Sequence, residues 1–233
     1  MTQAIRMLCA GAARATAVEL AAPFARESGI QVDPEFGTAG AIRRTILEGA
    51  RPDAVIASAP VVAELEKAGK LAAGSAVDLG RTGISVGVRA GVPLPDVSSV
   101  DALKRTLLAA RAVAYTDPAS GGTSGIHMDG VLRRLGIREE VNAKAVLVFG
   151  GYAAERVASG EADLVVQLTC EIVPVKGVAL AGVLPPELQL YTTYTAAVVA
   201  GAFRTEGARA WIAYLAGPVG RKKLTENGLE PPR

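Results

Sequence analysis

Short apolar runs alternate along this chain with longer stretches in which apolar residues recur every three or four positions, the pattern of strands feeding helices. Ile5 to Ala10 reads as a first strand. After Gly11-Ala-Ala, the positions Val18, Leu20, Ala21 and Phe24 mark the inner face of a helix. Gln31 to Phe36 predicts a second strand, Gly37-Thr-Ala-Gly a helix start with Ile42, Ile46 and Leu47 inward, Asp53 to Ala57 a third strand, and Pro60 to Ala68 a helix ended by Gly69. The pattern resumes with a strand over Gly83 to Arg89 and a helix over Asp101 to Ala109, with Ser98 and Ser99 as caps. Ala112 to Ala114 is apolar and leads through a small-residue loop into a helix with Val131, Leu132 and Leu135 on one face. Val146 to Phe149 predicts a strand, Ala153 to Ser159 a helix, and Leu164 to Leu168 a central strand that Cys170-Glu-Ile-Val ends. Pro185-Pro marks a loop, Gln189 to Ala200 alternates as a strand, and Ala208 to Leu215 with Lys222 and Leu224 makes the closing helices. No internal repeat or low-complexity segment interrupts this order, which predicts an α/β fold.

Four of the strand-to-helix passages are built from glycine, alanine, serine and threonine: Gly11-Ala-Ala, Gly37-Thr-Ala-Gly, Ser120 to Gly125, and Gly150-Gly. In open α/β sheets ligands bind beyond the carboxyl ends of the strands, where the free amides of helix starts favour an anion. The longest of these passages, Tyr115 to His127, has glycines at 121, 122 and 125 to admit a ligand close to the backbone, and hydroxyls at Ser120, Thr123 and Ser124. It also holds His127, the single histidine of the chain. The same segment fits a well-capped turn that binds nothing. None of the four loops carries a phosphate-loop lysine or a dinucleotide fingerprint, which argues against nucleotides.

Composition narrows the classes further. A chain of 233 residues, half of them hydrophobic, can build one large core or two small ones. The net charge of +2 gives no electrostatic case for nucleic acid, and no apolar run is long enough for membrane insertion. The amino terminus lacks the pattern of a secretory signal, since Arg6 interrupts a short apolar stretch. The expected compartment is cytoplasmic if Met1 is native, and periplasmic if a signal peptide was removed. Cys9 and Cys170 lie in apolar surroundings and predict buried free thiols. A lone histidine without clustered cysteines predicts neither a metal site nor a cofactor.

The succession of a strand, Ala10-Gly-Ala-Ala and a helix to Phe24, followed by Phe36-Gly-Thr-Ala-Gly-Ala-Ile-Arg-Arg and Gly49-Ala-Arg-Pro-Asp-Ala-Val-Ile-Ala-Ser, resembles the periplasmic molybdate-binding proteins of ABC transporters. The Asp117-Pro segment with its Gly-Ile-His-Met helix and the closing Leu215-Ala-Gly-Pro to Gly228 pattern extend the resemblance over nearly the whole chain. It implies the type II periplasmic-binding-protein fold, two lobes that are each a sheet flanked by helices with a ligand cleft between. Lobe I would comprise 1–84 and 195–233, and lobe II 85–194. Gly83 to Arg89 and Thr192 to Gly201 would be the crossing segments, and an ABC permease would be the partner of an exported form.

Position by position, the family's oxyanion residues are not retained. Its first binding serine falls on Ala12 and its second on Ala39 beside Thr38. A backbone-donating alanine falls on Ser124, the valine amide near Gly150, and the binding tyrosine on Leu168. Each hydrogen bond lost to a charged group costs about 1.5–3 kcal/mol, which argues against molybdate. The residues expected to contact a ligand are Ala12, Ala13, Arg14, Thr38, Ala39, Gly40, Ser120, Gly122, Thr123, Ser124, Gly150, Gly151, Tyr152, Gln167 and Thr169. Arg14 brings a cation suited to a carboxylate, whereas Arg43 and Arg44, one turn into their helix, fit either a cleft or a solvated surface. The ligand expected from this set is a small organic anion, a di- or tricarboxylate.

Bacterial aconitate isomerase shares this lineage, so two activities stay open: capture of an organic anion, or isomerisation of an unsaturated tricarboxylate. An allylic proton shift needs a base of near-neutral pKa, for which His127 is the first candidate and Glu171 the second. His127 also fits a purely structural place, bonding a loop carbonyl from the first turn of its helix. A ligand-sensing domain of a regulator would need a DNA-binding helical motif upstream, and the sequence shows none.

Overall fold

The computed structural model describes residues 4–232. In chain order its elements are β1 (Ile5–Ala10), α1 (Arg14–Ser28), β2 (Val32–Gly37), α2 (Ala39–Leu47), β3 (Ala54–Ser58), α3 (Ala59–Lys67) and β4 (Val77–Thr82). There follow β5 (Ile84–Arg89), α4 (Val100–Ala109), β6 (Val113–Thr116), α5 (Thr123–Leu135), α6 (Arg138–Asn142), β7 (Ala145–Val148) and α7 (Ala154–Ala158). The chain ends with β8 (Leu164–Leu168), α8 (Thr169–Ile172), β9 (Val178–Val183), β10 (Thr192–Val198), α9 (Thr205–Ala216) and α10 (Pro218–Glu226).

Two compact units result, one from residues 1–81 and 192–233, the other from 82–191. Unit 1 holds a five-stranded sheet of order β2-β1-β3-β10-β4. β1 pairs in parallel with β2 and β3, and β10 runs antiparallel to β3. Every residue of β3 is buried, as expected of a strand covered on both faces, and Pro34 lies in the edge strand β2 where a missing amide is tolerated. Behind the sheet Trp211 is fully buried, its ring 5.0 Å from that of Phe24 and its indole N–H 3.2 Å from the Met7 sulfur.

Unit 2 repeats this order as β7-β6-β8-β5-β9. β6 is parallel to β7 and β8, while β5 runs antiparallel to both β8 and β9. The fully buried side chains Leu103, Leu107, Met128 and Leu132 of α4 and α5 form its core. The chain is thus α/β, two sheets each flanked by helices, as the hydrophobic pattern predicts. Cys9 and Cys170 are buried free thiols. No helix among the described residues is long and apolar enough to cross a membrane.

Four elements depart from the sequence reading. β4 and β9, at the sheet edges, are not among the expected strands. Residues 169–172, expected to end a strand, form the helix α8 instead, with Thr82 Oγ1 accepting from the Cys170 amide at 3.4 Å. The last strand begins at Thr192 rather than Gln189, because the Gln189 side chain is bonded to the Ile84 backbone at both ends of its amide, at 2.8 and 2.9 Å.

Candidate functional site

The carboxyl ends of β6 and β8 in unit 2 are joined by side chains. β6 ends at the buried Thr116, after which Asp117 Oδ1 accepts from the Ala119 amide at 2.8 Å and folds residues 118–120 into a tight turn. Ser120 Oγ donates to the Asp117 carbonyl at 2.7 Å and accepts from the Gly122 amide at 3.3 Å. Helix α5 opens at Thr123, and the Ile126 amide is the first to find an acceptor in the preceding turn, the Gly122 carbonyl at 3.1 Å. The amides of Thr123, Ser124 and Gly125 therefore lie in the unsatisfied first turn, where the helix dipole favours an anion.

Two glycines of this loop are required by packing. A Cβ on Gly125 would lie 2.2 Å from the Thr116 carbonyl oxygen, and one on Gly122 would lie 2.6 Å from Thr116 Cγ2. Gly121 takes a positive φ of 76° to turn the chain. Gly122 and Gly125 thus let the helix start sit against the strand end, and Gly121 makes the turn that joins the two.

Gln167, fully buried on β8, is the hub of this end of the sheet. Its amide donates to Thr116 Oγ1 at 3.3 Å and to the Gly151 carbonyl at 3.2 Å, and its oxygen accepts from the Ala154 amide at 3.3 Å. Ser124 Oγ donates to the same Thr116 hydroxyl at 3.3 Å. One residue beyond β8, Thr169 Oγ1 donates to the Gly83 carbonyl at 3.1 Å and accepts from Ser85 Oγ at 2.7 Å. Glu171 follows on α8, buried, and burial pushes its carboxyl up to about 8, against a smaller opposing effect of a hydrogen bond from Gln167. A carboxyl of this kind is neutral at rest and able to exchange a proton near neutral pH.

The remaining unit 2 candidates are arranged around that hub. Gly150 and Gly151 take φ values of 91° and 82°, a double left-handed turn open only to glycine, and it delivers the buried Tyr152 to the start of α7. His127, half-buried on α5, places Nε2 2.7 Å from the carbonyl oxygen of Leu188. A carbonyl only accepts, so this nitrogen carries the proton, and a base function would fall to Nδ1.

In unit 1 the candidates form two helix starts. Ala12 and Ala13 are buried in a single tight turn after β1, and α1 then begins at Arg14, whose guanidinium lies 5.4 Å from the centre of the Phe36 ring. Thr38 caps α2, accepting at Oγ1 from the Ala41 amide at 3.1 Å, with Ala39 buried and Gly40 half-buried in the first turn. Arg43 is ion-paired with Glu64 across two exposed side chains, and Arg44 is exposed, so both belong to the solvated face. Sequence reasoning missed Thr116 and Ser85. Each is a hydroxyl in an otherwise apolar strand, and that break in the pattern was the available signal.

Comparison with known proteins agrees with the fold. A family model described as bacterial extracellular solute-binding protein matches residues 5–230. An aconitate isomerase from a Pseudomonas species is 33% identical over 97% of this chain and 87% of its own length. Among solved structures, the periplasmic molybdate-binding protein of Azotobacter vinelandii superposes with a TM-score of 0.83 at 20% identity, covering 98% of this chain and 100% of its own. The sulfate-binding protein SubI of Mycobacterium tuberculosis H37Rv gives 0.73 at 20% identity, over 98% and 87%. The periplasmic-binding-protein fold is shared with both.

Proposed function

Since the chain belongs to the bacterial extracellular solute-binding protein family, we propose that it takes a small polycarboxylate as its ligand and isomerises an unsaturated tricarboxylate of the aconitate type. The observation that carries this reading is the 33% identity to an aconitate isomerase over 97% of the chain. The strand ends of unit 2 supply matching chemistry. A first turn of amides at Thr123, Ser124 and Gly125 that lack intrahelical acceptors suits a carboxylate. Glu171 is linked to that helix start through Gln167 and the Thr116 hydroxyl.

In this reading Glu171 is the base. Its carboxylate takes a proton from the substrate methylene, the electron pair spreads over the three allylic carbons, and the proton returns to the carbon that was vinylic. The double bond moves by one position and nothing is gained or lost. With a pKa of about 8 the carboxylate is the minor form at neutral pH, but a strong enough base for a carbon acid.

The second reading, capture and release without chemistry, is supported by the family description itself. Incubation with cis-aconitate, followed by proton NMR for the trans isomer, separates the two. Interconversion that is lost in Glu171→Gln supports the isomerase. Calorimetric binding of cis-aconitate or citrate without interconversion supports the carrier, and binding of molybdate alone overturns both.

A further inference from the structure

The hydrogen bond of His127 belongs to a continuous chain of contacts that no catalytic role requires. His127 lies one turn into α5, and its Nε2 donates to the Leu188 carbonyl at 2.7 Å. Two turns further on, Arg134 Nη1 donates to the neighbouring Glu187 carbonyl at 2.7 Å. Residues 185–191 are the segment by which the chain leaves unit 2, and residues 82–84 are the segment by which it enters. The two are buckled together. Gln189 accepts from the Ile84 amide at 2.8 Å and donates to the Ile84 carbonyl at 2.9 Å, while a Cβ on Gly83 would meet Tyr191 at 3.1 Å and Gln189 at 3.2 Å. The entering segment in turn holds the start of α8, since the Gly83 carbonyl accepts from the Thr169 amide at 2.9 Å and from its hydroxyl at 3.1 Å. Glu171 is two residues further along.

We propose that His127 is a positioning residue, a latch that ties the anion-facing start of α5 to the exit segment and, through Gln189 and Gly83, to the helix that carries Glu171. The inference rests on the ligand site read above only in placing the anion at the α5 start. The latch itself is a contact within unit 2. A donor is what the position requires, because its acceptor is a main-chain carbonyl. A ligand that draws the first turn of α5 toward itself therefore pulls on Leu188 through the imidazole and steadies residues 186–191.

The test compares wild type, His127→Ala and His127→Gln by hydrogen–deuterium exchange, without ligand and with cis-aconitate. Gln keeps an N–H near the place of Nε2. The latch predicts amide exchange over 187–191 faster by roughly five- to tenfold in the alanine variant and restored in the glutamine variant. It also predicts that cis-aconitate slows exchange in this segment in wild type and not in His127→Ala. Turnover should follow the same order, with the glutamine variant close to wild type and the pH–rate profile unchanged.

Unchanged exchange in His127→Ala overturns the latch. So does protection of residues 123–126 by cis-aconitate with no effect on 187–191. A glutamine variant as inactive as alanine, with one limb of the pH profile lost, overturns it in favour of a catalytic imidazole. If cis-aconitate protects neither segment, the functional reading has failed, and the ligand-free comparison of the three proteins still decides the latch.

Discussion

Asp53 and Asp163 hold equivalent places in two sheets of the same strand order. Each stands one residue before the strand that neighbours the first parallel strand of its unit, β3 in one case and β8 in the other. Each turns its carboxylate back, Asp53 onto that first strand and Asp163 onto the residues that lead into it. Asp53 accepts from the amides of Arg6 and Arg204 at 3.0 and 2.9 Å and pairs with the Arg204 guanidinium at 3.3 Å. Asp163 accepts from the amides of Arg111 and Ala112 at 2.7 and 3.3 Å and pairs with the Arg111 guanidinium at 3.0 Å. These knots stand at the amino ends of β3 and β8, so they fix strand register from the side opposite the site and leave the carboxyl ends for ligand chemistry.

The two carboxylates differ in burial, and their removal should differ accordingly. Asp53 is 2% exposed and Asp163 39%. Asp53→Ala removes a buried carboxylate from two amides and from the partly exposed Arg204 guanidinium and should cost about 2–4 kcal/mol. Asp163→Ala exposes its partners to water and should cost about 1–2 kcal/mol. Urea unfolding checks this, with the single tryptophan, Trp211, reporting unit 1 and circular dichroism the whole chain.

Most of the fold was legible because the strands that matter most are buried on both faces. Ile5–Ala10, Ala54–Ser58 and Leu164–Leu168 are largely apolar runs, broken only by Arg6, Ser58 and Gln167, and each is an interior strand of its sheet. β9, Val-Ala-Leu-Ala-Gly-Val, is an apolar run too, but it is small-residue-rich and its partly exposed edge position gives no alternation to mark it as a strand. The helix over 169–172 escaped because its start is fixed by Thr82 and Gly83, more than eighty residues earlier in the chain. At the site, the positions of Ser124, Gln167 and Thr169 followed from strand ends, but their partners Thr116 and Ser85 did not. A hydroxyl inside an apolar strand declares its purpose only when the facing side chain is known.

The packing role of Gly125 can be separated from helix propensity within one helix. Gly125→Ala drives a Cβ to 2.2 Å from the Thr116 carbonyl oxygen and must lift the start of α5 off its strand. It should cost about 1–3 kcal/mol and weaken anion binding together with stability. Gly130, on the same helix, has nothing within 4 Å of the equivalent Cβ. Gly130→Ala should stabilise by about 0.5–1 kcal/mol and leave affinity alone. Thermal midpoints and cis-aconitate titrations on the pair would show the contrast.

The three arginines at the helix starts of unit 1 should separate just as clearly. Arg43 is committed to Glu64 at the surface and Arg44 is exposed, so Arg43→Gln and Arg44→Gln should leave affinity unchanged. Arg14, expected from the sequence among the ligand contacts, gives the contrast: Arg14→Gln should weaken carboxylate binding roughly tenfold or more, and Arg14→Lys should not restore it, since an ammonium lacks a planar fork. Equal loss in all three variants by calorimetry would assign the effect to net charge.

Glu171 makes the sharpest prediction, because its proton affects stability and rate in opposite directions. Its carboxyl is raised by burial from 4.5 to about 8, so the folded chain holds a proton that the unfolded chain has released. The stabilisation is complete below about pH 4.5, declines by roughly 1.4 kcal/mol per pH unit above it, and is gone above about pH 8. Glu171→Gln, always neutral and nearly isosteric, should flatten that slope and be the more stable protein at about pH 8, as urea midpoints at about pH 5 and about pH 8 would show. Turnover of cis-aconitate in wild type should instead rise with pH until the carboxylate predominates, and fall by a hundredfold or more in the glutamine variant. A flat stability difference between the two proteins would mean that Glu171 ionises normally. A rate that does not rise with pH would remove it as the base.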